Sequence, residues 1–260
     1  MNKIEVKILN PDAIADAERM MVAMARLTQR GHAIHDMSDF EAMMDREYSE
    51  NLVDTLIDLP HPTIQKFGVI NIVIVGASRR FLAQITRHQN EVKFMSGSLQ
   101  YSDYSEDAQF VVPYEIIRAN ANANSAVCCC SDNYILNQYL EACKESMEAY
   151  ACISSNVGND AAGYAAPQGL RNVLVISATP YQWKHMISQR TCNRNTSETQ
   201  YVMLLIWEQL YKWSRMFRNC GPFCMNGSCP EGKMCCGNPF EGPLTPSVVL
   251  DRSFPLIRGK

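Results

Sequence analysis

Near the start of the chain, Ile4, Val6 and Ile8 alternate with polar neighbours. That period of two predicts a half-buried strand over residues 2–9. Asn10-Pro11-Asp12 is a helix start, with proline at a position where its missing N–H costs nothing. Ile14, Ala17, Met20, Met21, Met24 and Leu27 follow at helical spacing, and Gly31 ends that segment. A second helix is predicted from Asp39 to Leu59, with Met43, Tyr48, Leu52 and Leu56 inward and Pro60-His61-Pro62 as its stop. Gly68 to Val75 is a β-branched run and predicts a buried strand. Gly76-Ala77-Ser78 then turns into a helix capped by Ser78, with Phe81, Leu82 and Ile85 on its apolar side. Residues 89–113 are polar and irregular, with no clean period. A short helix is predicted after Pro113, a loop over Ala119–Asn124, and a long amphipathic helix from Ser131 to Ser155. A strand follows over Leu170–Ser177, then helices over Pro180–Ser188 and Thr196–Arg218. Gly221 to Lys260, rich in Gly, Pro and Cys, is expected to be an extended tail.

Strands interleaved with helices, without an internal repeat or a low-complexity linker, predict a single domain of α/β class. Its expected form is an α+β-like arrangement of a mixed sheet flanked by helices. At 260 residues and 47% apolar content the chain can bury a sizeable core. Ordinary hydrophobicity and a formal charge of -3 exclude wholesale disorder. The slight acidity argues against a protein dedicated to wrapping nucleic acid. No apolar run approaches the roughly 20 residues of a membrane span. The first residues form no signal-peptide core, so a cytoplasmic location is expected. In a reducing compartment the 11 cysteines are expected as thiols. Eight of them fall in two clusters, Cys128-Cys129-Cys130 and Cys220, Cys224, Cys229, Cys235 and Cys236. The second cluster contains no C-x-x-C pair and fits no common zinc finger, so reduced, partly buried thiols without a metal are expected.

Three segments carry candidate chemistry. Gln84, Arg87 and His88 fall three and four apart, on one helical face. Gln offers a donor and an acceptor for an amide edge, Arg a fork for phosphate or a ring carbonyl, and His a hydrogen bond or a stack. The plain alternative is a solvated helix end with a cation near its C-terminus. Ser96-Gly97-Ser98-Leu99-Gln100-Tyr101 opens a hydroxyl-rich irregular loop suited to ligand hydrogen bonds, or an ordinary surface loop. Arg190-Thr191-Cys192-Asn193-Arg194 precedes a helix start, a place for an anion or merely a charged capping segment.

Taken together, in order, these segments resemble the flavin-dependent thymidylate synthases, the ThyX family. The residues that carry the resemblance are Ser78-Arg79, Gln84, Arg87-His88-Gln89 and Ser98-Leu99-Gln100-Tyr101. Later come Arg190, Cys192, Asn193, Arg194 and Glu198, then Gly221-Pro222-Phe223-Cys224 and Cys229-Pro230-Glu231-Gly232-Lys233. They span roughly residues 61–237, expected as the catalytic part of a 1–237 domain, with 238–260 as the tail.

The resemblance implies a homotetramer with FAD at subunit interfaces, NADPH as reductant, methylenetetrahydrofolate as carbon donor, and methylation of dUMP at uracil C5. It implies flavin contacts from Arg87, His88, Gln89, Arg190, Asn193 and Arg194. Gln84, Arg87, Ser98, Leu99, Gln100, Tyr101, Arg171 and Gln200 would hold the nucleotide, and Arg87, Ser98 and Gln200 would act on it. Gln89, Gln100 and Gln200 stand where the family pattern has Arg, and His61-Pro62-Thr63-Ile64-Gln65-Lys66-Phe67 stands where it has His-x-Ser-x-x-Glu-His. Other substrates, UMP or dCMP with a methyl or hydroxymethyl product, remain open, as does a non-catalytic nucleotide or flavin binder.

Overall fold

The computed structural model describes residues 4–123, 134–240, 242 and 244–259. Cys128-Cys129-Cys130, Asn124 and the expected helix start at Ser131 lie outside them. In chain order the elements are β1 (Glu5–Ile8), α1 (Asp12–Arg30), α2 (Met37–Asp45), α3 (Glu50–Ile57), β2 (Ile70–Ser78), α4 (Arg79–Ile85), β3 (Val92–Ser96), α5 (Tyr114–Ala123), α6 (Tyr134–Val157), α7 (Asn159–Ala162), β4 (Arg171–Ala178), α8 (Pro180–Arg190), α9 (Ser197–Trp213), α10 (Pro246–Ser253) and α11 (Pro255–Arg258). Among the described residues no helix is long and apolar enough to cross a membrane.

The α/β class holds, with one difference: the four-stranded sheet, ordered β1-β2-β4-β3, is antiparallel at every pairing. β2 and β3 run the same way but are not neighbours, because β4 fills the gap between them and opposes both. The β2-α4-β3 crossover therefore never makes a parallel pair. Ile70, Ile72 and Ile74 of β2 and Leu174, Ile176 and Ala178 of β4 are buried on one face. The core on that side comes from Ile14 and Met21 of α1, Trp183 and Met186 of α8, and Val202, Met203, Ile206, Trp207 and Leu210 of α9. The indole N–H of Trp183 donates to Ile70 O at 3.0 Å, so that buried polar atom is satisfied. The other face is open: Val75 is 40%, Val173 46% and Met95 75% exposed. A second cluster (Met147, Tyr150, Ala162 and Leu170) packs α6 against the loop after β3, with Leu99 and Tyr104 on its edge.

Five stretches depart from the sequence reading. The helix expected over Asp39–Leu59 is two, α2 and α3. Arg26 donates to the carbonyls of Arg46 and Glu47 at 2.7 Å each, holding the link out of helix, and Ser49 caps α3 by accepting from Leu52 N at 3.4 Å. The irregular 89–113 stretch contains β3, an edge strand whose exposed Lys93 and Met95 alternate with half-buried Val92 and Phe94. The loop expected over Ala119–Asn124 is helical to Ala123. The last long helix ends at Trp213, because Ser214 is extended (φ -150, ψ 143) and its hydroxyl donates to Glu18 at 2.5 Å. The segment expected to be an extended tail carries α10, capped by Thr245 with Pro246 at its first turn. Val249, Leu250 and Phe254 enter the main core, and Phe254 meets Tyr114 and Tyr201 edge-on at 5.0 and 5.1 Å.

Candidate active site

The site is built where α4 meets the start of α9. At the end of β2, Gly76 sits at φ +85 in a register shift, and Arg171 Nε donates to its carbonyl at 3.0 Å. Ser78 then caps α4, its hydroxyl accepting from Phe81 N at 3.1 Å. The same hydroxyl donates to Glu198 Oε2 at 2.5 Å, and the Ser78 amide donates to Glu198 Oε1 at 2.6 Å. Burial pushes the Glu198 carboxyl's pKa up, against the two hydrogen bonds from Ser78. Glu198 thus ties the first turn of α9 to the first turn of α4. Near the other end of α4, Gln84 Oε1 accepts from the hydroxyls of Thr196 and Thr199 at 3.0 and 2.6 Å. Its side-chain carbonyl is committed to α9, which leaves its amide as a donor.

Arg190, at the end of α8, joins the same constellation. Its Nε donates to His88 Nε2 at 2.9 Å, its Nη1 to Asn195 Oδ1 at 3.3 Å and its Nη2 to Gln84 O at 3.2 Å. All three acceptors are neutral. Because His88 accepts through Nε2, its neutral ring carries the proton on Nδ1. Burial, then Arg190 and then His185, hold the His88 pKa down to about 4, so the ring is neutral at pH 7. Burial and the charge of exposed Arg87 lower the Arg190 pKa. Gln84, Arg87, His88 and Arg190 therefore come together as expected. They form a pair of guanidiniums with neutral groups around the inner one.

Asn193, Arg194 and Gln200 lie beside this group but are engaged elsewhere. Gln200 is 6% exposed and donates both amide hydrogens, to Thr191 O and Asn193 Oδ1, at 2.9 Å each. Asn193 donates to Asn238 O at 3.0 Å and Arg194 to Met234 O at 2.7 Å, both in the C-terminal segment. Ser98, Leu99, Gln100, Tyr101 and Arg171 are not in this group. His88 and Gln89 precede the β3 residue paired with Ala178, whereas the Ser98 loop leaves its far end, where Gly97 N donates to Val173 O. At about 3.3 Å per residue, five residues of β3 hold the two regions roughly 15 Å apart. Ser98 Oγ accepts from Gln100 N at 3.1 Å, Leu99 packs against the second cluster, and Tyr101 is 83% exposed. Arg171 lines a separate cavity of about 210 Å³ with Tyr104, Asp107 and Gln109.

Two cavities flank α8. One, of about 520 Å³, is lined by Lys66, Gln89, Asn90, Glu91, Tyr181, Gln182 and His185. The other, of about 390 Å³, shares Tyr181 and His185 and adds Lys184, Gln65 and Phe223. Lys66 pairs with Glu91 at 2.7 Å and lies 4.9 Å over the Tyr181 ring. Burial holds the Lys184 pKa down to about 8, and its ammonium donates to Gln65 Oε1 at 2.9 Å. Sequence reasoning missed Tyr181, Lys184 and His185. The available signal was their spacing of three and four on α8, on the side away from buried Trp183, Met186 and Ile187.

The family model for the thymidylate synthase complementing protein matches residues 11–214. A flavin-dependent thymidylate synthase of Clostridium tetani is 21% identical over 258 residues, 92% of this chain and 95% of its own length. One from Geobacter sulfurreducens is 20% identical over 233 residues, 87% of this chain and 91% of its own. Among solved structures, the UMP/dUMP methylase PolB of Streptomyces cacaoi, bound with 5-Br dUMP, superposes with a TM-score of 0.60 at 15% identity, covering 83% of this chain and 93% of that one. Thymidylate Synthase X (ThyX) of Helicobacter pylori, with FAD and dUMP, gives 0.55 at 15% identity, covering 83% of this chain and all of that one. With the family match spanning most of the chain, and with Gln84, Arg87, His88 and Arg190 meeting at one site, the chain belongs to the thymidylate synthase complementing protein (ThyX) family as a divergent methyltransferase member.

Proposed function

We propose that the chain methylates uracil C5 of dUMP, taking the carbon from methylenetetrahydrofolate and reducing equivalents from FAD that NADPH has reduced. The observation that carries this reading is Arg190: a half-buried cation whose acceptors are all neutral, with a second cation, Arg87, beside it. Two opposed positive charges are relieved by an anionic ligand. The ring-lined cavities on either side of Tyr181 and His185 fit a flat heterocycle with amide edges. These residues fit a flavin nucleotide, with Arg87 and Arg190 toward anionic groups and Gln89, Tyr181 and His185 toward the ring.

FAD, when bound, supplies the hydride equivalents that turn the transferred carbon into a methyl group. His88 stays neutral and holds Arg190 in one orientation, so the guanidinium presents fixed donors. The Ser98 loop leaves the far end of β3, roughly 15 Å from this group, and Arg171 lines a separate cavity. That separation supports a homotetramer in which another copy's loop completes the nucleotide site. The open face around Val75, Val173 and Met95 is surface for such contacts. The deciding experiment is turnover of purified protein with NADPH, methylenetetrahydrofolate and dUMP, with product mass as readout. Formation of dTMP supports the reading; flavin binding without turnover of any pyrimidine nucleotide overturns it.

A second reading, UMP or dCMP as substrate, is favoured by two particulars. Gln200 has both amide hydrogens engaged, and exposed Gln100 brings no charge to a phosphate. The likeness to a UMP/dUMP methylase points the same way. Including UMP and dCMP in the same assay, with hydroxymethyl and methyl products resolved by mass, separates the readings.

A further inference from the structure

Tyr181, Lys184, His185 and Ser188 recur at helical spacing along α8 and form one wall of the cavity of about 390 Å³. The facing wall runs from the end of α3 to Gln65, over a turn held by Pro60 and Pro62. Gln65 is buried, and its Nε2 donates to Ile57 O at 3.5 Å, which turns Oε1 toward Lys184. That amide oxygen, at 2.9 Å, is the one hydrogen-bond acceptor of the Lys184 ammonium among the described residues, and it is neutral. Two further N–H groups of the ammonium remain for a ligand. Among the described residues lining the cavity there is no Asp or Glu and no second Lys or Arg. Asp58 lies near enough to oppose the effect of burial on Lys184, but its carboxylate accepts from Asn219 Nδ2 at 2.8 Å. Cys220 keeps its thiol on Phe217 O. In the same wall Asn219 Oδ1 is buried and has no hydrogen-bond partner. The cavity also has aromatic sides, Tyr181, Phe223 and His185. The His185 ring meets His88 edge-on with centroids 5.9 Å apart, so the cavity adjoins the Arg190 constellation.

We propose that this cavity holds the carboxylate-bearing arm of the folate co-substrate, with the Lys184 ammonium as the counter-charge of one carboxylate. The assignment rests on the folate-dependent reading of the neighbouring site. A cation whose protein partner is a neutral amide, in a cavity without an acid, is matched by an anion. One ammonium without an arginine fork suits a single carboxylate, whereas the diphosphate of a nicotinamide nucleotide asks for more charge. An amide N–H beside the carboxylate offers the Asn219 carbonyl the partner it lacks. The arm's other carboxylate stays in water. The rings of Tyr181, His185 and Phe223 give the flat part of the ligand its contact area.

Isothermal titration of FAD-loaded protein with 5-formyltetrahydrofolate, and with the diamide of its glutamate, tests the assignment. Wild type should prefer the acid to the diamide by roughly tenfold. Lys184→Met should bind the two alike, Lys184→Arg should recover part of the preference, and Lys144→Met, exposed on α6, should behave as wild type. A Lys184→Met protein that still prefers the acid overturns the assignment, as does wild type that binds the two alike or binds neither. Loss of NADPH affinity in Lys184→Met, with the folate unaffected, gives the cavity to the nicotinamide nucleotide and overturns it too. Should Lys184→Met not fold, acetic anhydride labelling of wild type decides: 5-formyltetrahydrofolate should shield Lys184, read by peptide mass, and the diamide should not. Equal labelling with both overturns the assignment. Turnover is not the readout, so an acid preference without dTMP formation refutes the proposed reaction and leaves this site standing, while dTMP formation without an acid preference removes the site alone.

Discussion

At Arg190 the guanidinium is held by His88, Asn195 and the carbonyl of Gln84, and its charge has no counterion among them. Arg190→Lys keeps the charge but loses the fork that grips three acceptors at once. Flavin uptake, followed by fluorescence titration, should weaken by roughly tenfold, the equivalent of about 1.4 kcal/mol, with the fold retained by circular dichroism. His88 gives a pH signature. Its folded pKa, about 4, lies below the ordinary histidine value of 6.5, so between those values the unfolded chain binds more protons than the folded one. Stability is complete above about pH 6.5 and falls as the pH drops toward 4, by up to about 3 kcal/mol. His88→Gln should flatten that part of the urea-midpoint profile; an unchanged profile would show that His88 is not the group responsible. Gln200→Arg places a guanidinium where two amide hydrogens now meet Thr191 O and Asn193 Oδ1. It should lower the melting temperature, whereas Gln100→Arg, at an exposed site, should not. At this scale the sequence was legible where spacing alone brings side chains together, as for Gln84, Arg87 and His88. It was mute about Gln200, because the partners of a buried amide depend on the turn that surrounds it.

Among the elements, the bulge at Gly76 and the helix α10 are the most exposed to substitution. A Cβ at Gly76 would lie 2.0 Å from Arg171 Nη2, at a φ of +85. Gly76→Ala should therefore displace Arg171 and destabilise the chain by on the order of 1–3 kcal/mol. Phe254→Ala should cost about 3–5 kcal/mol, since it empties a space enclosed by Tyr114 and Tyr201. Chemical denaturation of the two variants checks both figures. β1, α1 and α6 were readable from periodicity because each buries one clean face, and β2 was readable from its β-branched run. β3 was not, since an edge strand with Lys93 and Met95 outward leaves only Val92 and Phe94 as signal. α10 was hidden because its helix begins at Pro246, and proline among glycines and cysteines suggests a loop until Thr245 is seen to cap it.

For the molecule as a whole, collinear motifs said nothing about direction. The sheet puts the His88 and Ser98 regions at opposite ends of one strand, a separation that no one-dimensional pattern encodes. If copies of the chain pair through the open sheet face, Val173→Lys should leave circular dichroism unchanged and lower the sedimentation mass from tetramer toward smaller species. A wild-type mass near that of one chain at micromolar concentration would count against the homotetramer.

The burial of Phe254 has a further consequence for how the protein is made. A ribosome delivers the chain from its N-terminus, so the sheet, α1 and α9 emerge before the residues that cover Tyr114 and Tyr201. During that interval the nascent protein shows an uncovered aromatic surface, and docking of α10 and Phe254 follows the making of the rest of that core. Stalling translation before Phe254 should yield a protease-sensitive, chaperone-associated nascent chain, and release of the remaining residues should bring protection in a single step.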